Sequence, residues 1–292
     1  MRALLPLAIA ALVAMALPAR AEPKRVVVAG GDLTEIVYAL HAEDRIVGVD
    51  TTSLYPPAAR ERPSVGYLRQ LAAEGILALS PDLLLTTVSA GPPAVLEQIR
   101  SAGTPVEALP EAFTAEGVVA KIVGVEKALG VPDPGLSQAV RADFATVAAA
   151  VAQVPSKPRV LFVLSITQGT PLGGGNGTAA DGIIRLAGGT NAVGEVERYK
   201  PLSPEAVAAA APEVVVIASH AVEPNGGMAA IAALPVFAQT PAAKAGRIIA
   251  MDSLYILGFG PRTPQAARDL AAVLHPDRTP PALPDRAWSA GS

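Results

Sequence analysis

Short apolar runs alternate with helix-length amphipathic segments along the first half of the chain. Four β-branched or leucine-rich runs are typical of buried strands and fall at residues 25–29, 45–49, 82–86 and 105–109. Apolar positions with helical spacing lie between them, at residues 33–40, 71–79 and 95–102. Strands that alternate with helices of about ten residues predict βα units, and so an α/β fold with mainly parallel sheets covered on both faces.

The segment 115–154 carries no strand pattern. One helix is predicted to end at Leu129, and an Ala-rich amphipathic helix follows over residues 135–154. About twenty helical residues span ~30 Å, enough to connect one lobe with another, although an ordinary packed helix is the alternative. We therefore expect two similar lobes joined by a single long interlobe helix. The predicted boundaries are an N-terminal lobe at 22–132, the linking helix at 133–156 and a C-terminal lobe at 157–276.

An internal echo supports the two similar lobes. A glutamate seven residues before a proline, followed by an acid and three apolar β-formers, begins at Glu74 and again at Glu205. The order of residue types is preserved between the two copies, which is the signature of a repeated unit. Two such lobes place a ligand most naturally in the cleft between them, near the carboxyl ends of the strands.

Both ends of the chain differ from this pattern. The first 21 residues resemble a secretory signal peptide, with Arg2, an apolar stretch to Pro18 and an A-x-A site that ends at Ala21. The apolar stretch is shorter than the ~20 residues that a membrane span needs. We therefore expect export to the periplasm with cleavage after Ala21. The proline-rich residues 277–292 predict a flexible tail.

Composition narrows the chemistry further. The 292 residues contain no cysteine, which excludes disulfides, thiolate metal sites, iron–sulfur clusters and a lipid-anchored cysteine. A formal charge of −3 provides no basic surplus, so a nucleic-acid partner is not expected. Three histidines, His41, His220 and His275, are too few to favour a zinc or manganese site.

Four motifs carry a family resemblance. They are Gly-Val-Asp-Thr-Thr-Ser-Leu-Tyr-Pro at 48–56, Val-Gly-Tyr-Leu-Arg at 65–69, Pro-Leu-Ser-Pro-Glu at 201–205 and Leu-Gly-Phe-Gly-Pro-Arg at 257–262. With these motifs the chain, from about residue 24 to 274, resembles the periplasmic substrate-binding proteins of ABC importers whose hinge is one long helix, and in particular the haem-binding members. The resemblance implies a monomer that catalyses nothing, binds ferric haem in its cleft and delivers it to permease subunits in the inner membrane.

The resemblance further implies that Tyr67 is the axial ligand of the haem iron. A phenolate is a hard anionic donor that suits ferric iron, and tyrosine is an established axial residue. Because a free phenol has a pKa near 10, ligation at neutral pH needs the metal charge and a nearby cation. Arg69, two residues further along an extended loop, is expected to point the same way and to stabilise the phenolate.

Other residues receive roles from the same resemblance. Arg262 is expected to be a haem-contacting cation or gate, and Tyr199 to line the cleft, whereas a contact of His220 or Tyr255 with the iron stays open. Glu74 and Glu205 are expected to dock onto arginines of the two permease subunits. As exposed acids at helix N-termini, they are also explained by the helix dipole alone.

Two other functions stay open. One is a carrier of a ferric siderophore or of cobalamin, in the same class of binding proteins. For a haem carrier, the sequence also leaves open whether one or two haems are bound. A dinucleotide-binding enzyme is the other, because residues 175–180 match G-x-G-x-x-A before a predicted helix. Its context is poor, because the glycines come well after the preceding strand and no second strand with a ribose-binding acid follows.

Overall fold

Alternating strands and helices form two α/β lobes. The computed structural model describes residues 22–132 and 134–289, so the predicted signal peptide and its cleavage site lie outside the described residues. The elements of the N-terminal lobe are β1 (Val26–Ala29), α1 (Gly31–Ala39), β2 (Ile46–Val49), α2 (Ala73–Leu77), β3 (Leu83–Thr87), α3 (Pro93–Ser101), β4 (Val106–Leu109) and α4 (Ala115–Leu129). The sheet has the order β2-β1-β3-β4, and all of its pairings are parallel.

The second lobe follows helix α5 (Leu136–Val151). Its elements are β5 (Arg159–Thr167), β6 (Thr170–Gly174), α6 (Ala179–Leu186), β7 (Thr190–Asn191), β8 (Tyr199–Pro201), α7 (Pro204–Ala210), β9 (Val214–Ala218), α8 (Gly227–Ala233), α9 (Pro235–Ala238), α10 (Pro241–Lys244), β10 (Ile248–Met251), α11 (Ser253–Leu257) and α12 (Thr263–Leu274). Its sheet has the order β10-β9-β5-β6-β8, with β7 also paired to β5. Strands β10, β9 and β5 are parallel, whereas β6 and β8 add an antiparallel edge that the sequence did not predict.

One apolar core runs through both lobes. Val26 and Val28 of β1 face the same buried cluster as Val160 and Phe162 of β5. The alternate residues of each strand, such as Val27, face separate outer clusters. This period of two, with both faces apolar, is what a parallel strand covered on both sides requires. The lobes are therefore joined by a shared core as well as by the covalent chain.

Helix α5 packs against both lobes. It contacts α4 of the N-terminal lobe and also α6 and α12 of the C-terminal lobe. Its apolar side chains Leu136, Val140, Phe144 and Val147 belong to the shared core. The sequence-predicted interlobe helix is thus present, four residues shorter than the predicted stretch. No helix of the described residues is both long and apolar enough to span a bilayer.

A buried ion pair crosses the junction between the lobes. Arg262, just before α12, donates hydrogen bonds of 3.0 and 2.6 Å from Nε and Nη2 to the two carboxylate oxygens of Glu35 on α1. Both residues are only 5% exposed. The guanidinium carbon of Arg262 lies 3.5 Å from the ring centroid of Tyr55, within cation–π distance. The fork geometry and the ring together hold a charge that would otherwise be costly to bury.

The internal echo corresponds to a repeated local structure. Helix α2, a left-handed residue at Ser80 (φ 48°) and strand β3 have their counterparts in helix α7, a left-handed residue at Ala211 (φ 44°) and strand β9. In the N-terminal lobe Arg25 donates a 2.5 Å hydrogen bond to the Leu79 carbonyl just beyond α2. In the C-terminal lobe Arg159 donates a 2.8 Å hydrogen bond to a carbonyl at the end of α7. The first strand of each lobe is therefore tied to the helix that carries the repeated glutamate.

The expected loose tail packs against the protein as far as residue 289. Arg286 donates hydrogen bonds of 3.1 and 2.7 Å to the buried carboxylate of Asp143 on α5. Tyr55 donates a 3.1 Å hydrogen bond to the carbonyl of Trp288, whose ring packs against the shared core. The expectation of a flexible tail is therefore wrong for residues 277–289, because the buried Asp143 carboxylate needs a partner and Arg286 supplies it, a pairing that a proline-rich composition does not reveal.

We predict that Arg262→Ala destabilises the protein by about 3–5 kcal/mol, because Glu35 is left as an unpaired buried charge. Arg100→Ala is the matched control, since it removes an exposed pair with Glu97 and should cost less than about 1 kcal/mol. Urea unfolding of the ligand-free protein measures both. Equal effects of the two substitutions would contradict a structural role for the buried pair.

A candidate ligand-binding cleft

A cleft of about 1050 Å³ lies between the lobes. Its N-terminal side is formed by residues that directly follow the four parallel strands, and its C-terminal side by the starts of α6, β8 and α11. Its lining includes Asp32, Leu54, Tyr67, Arg69, Thr87, Val88, Ser89, Glu111, Lys121, Thr178, Arg198, Tyr199 and Ser253. The cleft thus lies at the carboxyl ends of the strands, where open α/β sheets bind ligands. Its volume is at the upper end of the ~300–1,000 Å³ range of small-molecule sites.

Tyr67 and Arg69 project into the cleft from one loop. Tyr67 is 40% exposed and Arg69 is exposed, whereas Leu68 between them is buried in the outer core of the N-terminal lobe. The loop begins at Gly66, whose φ of 88° favours glycine, and the Tyr67 carbonyl accepts a 2.7 Å hydrogen bond from the Gln70 backbone N–H. Residues 67–70 therefore form a hydrogen-bonded turn with Leu68 and Arg69 at its centre, and not the extended segment that the sequence predicts, although Tyr67 and Arg69 both line the cleft.

Tyr199 reaches the same cleft from β8 in the other lobe. Burial raises the pKa of its phenol above the ordinary value, and interactions with the Thr178 hydroxyl and the Ala180 backbone N–H partly offset that effect. The positive charge of Arg69 acts on the pKa of Tyr199 in the same offsetting direction, and both residues line the cleft, one from each lobe. The phenol is neutral at neutral pH and can donate a hydrogen bond to a ligand.

Arg198 is a cleft residue that the sequence analysis missed. Its backbone adopts a left-handed conformation (φ 62°), and its side chain lines the cleft beside Tyr199. Neither Arg198 nor Arg69 forms a side-chain hydrogen bond or ion pair with another described residue. Two exposed guanidinium groups without protein partners, one from each lobe, provide a site for carboxylates of a ligand.

The remaining lining combines apolar surface with anchored polar groups. Leu54 and Val88 are exposed large apolar residues, and both face the cleft together with Tyr67. A carboxylate oxygen of Glu111 accepts hydrogen bonds of 3.2 and 3.0 Å from the hydroxyls of Thr87 and Ser89. Exposed apolar side chains concentrated in one cleft are typical of a binding surface for a large apolar ligand.

Asp32 and Lys121 form an ion pair at the base of the cleft. The ammonium of Lys121 also donates a 3.4 Å hydrogen bond to the carbonyl of Phe259 in the other lobe. The Phe259 ring packs edge-to-face against Phe113, with ring centroids 5.1 Å apart. The base of the cleft is therefore a polar contact backed by an aromatic pair.

Arg262 does not line the cleft. It is buried in the interlobe junction and bound to Glu35, so the expectation that it contacts the ligand does not fit this geometry. Tyr255 is likewise outside the cleft lining, and its hydroxyl donates a 2.9 Å hydrogen bond to Asp269. Within the Gly-Phe-Gly-Pro-Arg motif, Arg262 pairs with Glu35 and the Phe259 ring packs edge-to-face against Phe113. These two structural contacts account for the motif without a ligand contact.

His220 lies next to the cleft lining but not in it. Its Nδ1 is 3.1 Å from the hydroxyl of Ser253, a lining residue, and the imidazole is exposed. Within the described ranges no group of three or more histidine or acidic side chains could hold a metal ion.

Glu74 and Glu205 are both exposed and lie outside the cleft. Each is the second residue of its helix, α2 or α7. The backbone N–H of Glu205 and the hydroxyl of Ser203 lower the pKa of the Glu205 carboxyl, which keeps it ionised at neutral pH. The structure brings Tyr67, Arg69 and Tyr199 together in the cleft and leaves the two glutamates on the surface.

The match to a dinucleotide motif has a different structural context. Residues 175–177 follow β6, which is antiparallel to β5, and they precede α6. A dinucleotide fingerprint needs a parallel strand, a tight glycine turn and a helix within one βαβ unit. The hairpin between β5 and β6 therefore removes the structural basis of that alternative.

Sequence comparison identifies the family. The periplasmic binding protein family model matches residues 26–255, and the chain belongs to this family. The two-lobed α/β architecture agrees with that assignment.

Solved structures of haem-binding proteins are similar over almost their entire length. BhuT, a periplasmic haem-binding protein in complex with two haems, is 46% identical over 86% of this chain and 99% of its own, with a TM-score of 0.81. The haem-binding protein RhuT from Roseiflexus sp. RS-1, in apo form, is 40% identical over 87% of this chain and 98% of its own, with a TM-score of 0.82. A periplasmic haem-binding protein from Pseudomonas aeruginosa is 39% identical over 90% and 96% of the two chains, with a TM-score of 0.81.

Curated sequence relatives are more distant. The vitamin B12-binding protein of Vibrio vulnificus is 26% identical over 82% of this chain and 86% of its own. An uncharacterised ABC transporter substrate-binding lipoprotein of Bacillus subtilis, YvrC, is 24% identical over 88% and 81%.

We predict that Tyr199→Phe removes a component with a midpoint above ~10 from the alkaline spectrophotometric titration of the ligand-free protein, because burial raises the pKa of this phenol. Circular dichroism on the same samples confirms that the protein stays folded. Loss of a component at or below that midpoint would show that Tyr199 is not held in the partly buried position described.

Proposed function

We propose that this protein is a periplasmic carrier of ferric haem. The observation that carries the proposal is Tyr67, a phenol displayed in an interlobe cleft that Arg69 and Arg198 also line, two arginines whose side chains have no hydrogen-bond or ion-pair partner among the described residues. Similar chains in three solved structures are described as periplasmic haem-binding proteins, which supports the choice of ligand. The family supports a binding role, and we propose no catalytic activity.

Tyr67 would supply the iron ligand. A phenolate binds ferric iron strongly, and tyrosine is among the known axial residues of haem proteins. Arg69 follows in the same loop and lines the same cleft, where it places a positive charge on the wall that carries Tyr67. The N-terminal lobe thus carries both the iron donor and the cation that supports it.

The other features of the cleft suit the rest of the molecule. Haem has a broad apolar ring, for which Leu54 and Val88 offer exposed apolar contacts. Its two propionates match the guanidinium groups of Arg69 and Arg198. Tyr199 can donate a further hydrogen bond from the C-terminal lobe.

The test is a visible-absorption titration of ferric haem into protein exported with its own leader and purified from the periplasm. We expect saturable binding with a tyrosinate-type high-spin spectrum, and its loss or conversion to weak, nonspecific uptake in Tyr67→Phe. Tyr38→Phe is the matched control, because the Tyr38 hydroxyl has no hydrogen-bond partner among the described residues and lies outside the cleft. Mass spectrometry of the same sample checks that the mature chain begins at Glu22.

Cobalamin and ferric siderophores are the competing ligands of the same class. Cobalamin is the better supported of these two alternatives, because the chain is similar to a vitamin B12-binding protein. Stoichiometric binding of cyanocobalamin with no haem binding would contradict the proposal. Unchanged haem binding by Tyr67→Phe would leave the carrier function intact and remove the iron-ligand role of Tyr67.

We also propose that Glu74 and Glu205 dock the loaded protein onto the two permease subunits of an ABC importer. Both glutamates occupy the second position of an exposed helix, in two copies of the same helix–proline–strand structure. A repeated acid suits a partner with two-fold symmetry. Single exposed ion pairs contribute little affinity, so the pair would mainly fix the orientation of docking.

We predict that the double variant Glu74→Ala/Glu205→Ala binds haem like the wild type but supports little haem uptake by cells that depend on this importer. Glu116→Ala is the matched control, because Glu116 is also an exposed second residue of a helix, α4, without a repeated partner. Uptake by the double variant at the wild-type rate would rule out this docking mode.

A further inference from the structure

The loop that carries Tyr67 is held at its centre by a side chain. Backbone hydrogen bonds secure its flanks, from Thr51 N–H to the Gly66 carbonyl (2.9 Å) and from Leu71 N–H to the Gly91 carbonyl (2.8 Å). The N–H of Leu68, midway between these flanks, donates instead to a carboxylate oxygen of Asp50, at 3.3 Å. Two backbone hydrogen bonds also hold this stretch, from the Gln70 N–H to the Tyr67 carbonyl (2.7 Å) and from the Gly91 N–H to the Leu68 carbonyl (2.9 Å). Asp50 is thus the side chain that holds the peptide between Tyr67 and Leu68.

Asp50 is itself buried and surrounded by donors. It is 2% exposed and directly follows β2, at the carboxyl edge of the sheet. Its oxygens accept hydrogen bonds from the backbone N–H groups of Gly30 (3.0 Å) and Thr52 (3.1 Å) and from the hydroxyls of Thr52 and Ser53. No arginine or lysine of the described residues pairs with it. Asp50 therefore joins the end of β1, the turn after β2 and the Tyr67 loop through donor groups alone.

The direction of Leu68 determines the direction of its neighbours. Leu68 is a central residue of the turn closed by the Gln70 N–H and the Tyr67 carbonyl, and its side chain is buried in the outer core while those of Tyr67 and Arg69 on either side are exposed. If the N–H of Leu68 loses its acceptor, a buried donor is left unpaired, and this cost favours rotation of the Tyr67–Leu68 peptide toward another acceptor. Such a rotation changes the positions of the phenol and the guanidinium together.

We propose that Asp50 is a positioning residue that sets Tyr67 and Arg69 toward the cleft. The proposal rests on the proposed function, in which Tyr67 binds the haem iron, and it assigns Asp50 no contact with the ligand. Removal of a group that orients a metal-binding residue without contacting the metal typically lowers the metal affinity by about 10- to 100-fold. The same range is expected here.

The test compares Asp50→Ala with Asp143→Ala in the exported protein. Asp143 is equally buried, but its partner Arg286 lies outside the cleft lining, so its removal controls for the loss of a buried carboxylate. We expect Asp50→Ala to weaken ferric haem binding by about 10- to 100-fold and to alter the tyrosinate charge-transfer band. Asp143→Ala should leave the band unchanged and the affinity within about twofold, although it also lowers thermal stability.

A second variant keeps the test decisive if Asp50→Ala does not fold. In Asp50→Asn the amide oxygen can keep the hydrogen bonds from Thr52 and Leu68, while the amide nitrogen faces the Gly30 N–H. This variant should therefore be less stable than the wild type but retain the charge-transfer band. A folded Asp50→Ala with the wild-type band and affinity would overturn the proposal, as would an Asp50→Asn that binds haem with an altered band.

Hydrogen exchange separates this proposal from the proposed function. Without any ligand, the Leu68 amide should exchange slowly in the wild type and in Asp50→Asn, and at least about tenfold faster in Asp50→Ala relative to the amides of β1. If the wild type binds no haem but these exchange rates follow the expected order, the proposed ligand is wrong and the positioning of the loop by Asp50 stands. Fast exchange of Leu68 in the wild type would overturn the positioning role itself.

Discussion

The apolar core shared by the two lobes is the constraint on which the rest of the structure depends. In proteins with two independent cores, a cleft can open by rotation about a linker. Here β1 and β5 bury alternate residues against the same cluster, and α5 lies within it, so a wide opening would expose apolar surface. The Glu35–Arg262 pair adds a charge that cannot be separated from its partner without cost. The cleft is therefore largely preformed, and modest changes in lobe angle are the ones that the core permits.

A preformed cleft explains the unequal contributions of its two walls. The N-terminal wall collects the ends of four parallel strands, and backbone N–H groups converge there on Asp50 and hold the Tyr67 loop. The C-terminal wall is assembled from a hairpin, a short edge strand and helix starts, and it supplies Tyr199 and Arg198. Geometrical precision is thus concentrated in the wall proposed to bind the metal, where small displacements matter most. The opposite wall supplies hydrogen bonds and charge, which tolerate larger adjustments.

Much of the fold was predictable because it follows from periodicity. The four strands of the first lobe, the interlobe helix and the repeated helix–proline–strand unit all leave patterns in the sequence. Tyr67 and Arg69 both lie at the cleft as expected, but the expected reason is wrong, because residues 67–70 form a hydrogen-bonded turn and not an extended segment. Arg198 was not, because its left-handed backbone changes the direction of its side chain at the start of β8, and a sequence alone does not reveal such a residue. The position of Arg262 depends on Glu35, 227 residues away, and no local pattern encodes that contact.

The arginine ties between the first strand of each lobe and the helix that carries the repeated glutamate have a mechanical consequence. Arg25 and Arg159 attach α2 and α7 to the sheets, so each helix moves with its lobe rather than with a surface loop. The separation of Glu74 and Glu205 consequently changes whenever the lobes rotate relative to each other. A partner of the proposed kind, which would contact both acids at once, would respond to the angle between the lobes, and so could distinguish a closed form of this protein from an open one without contact with the ligand.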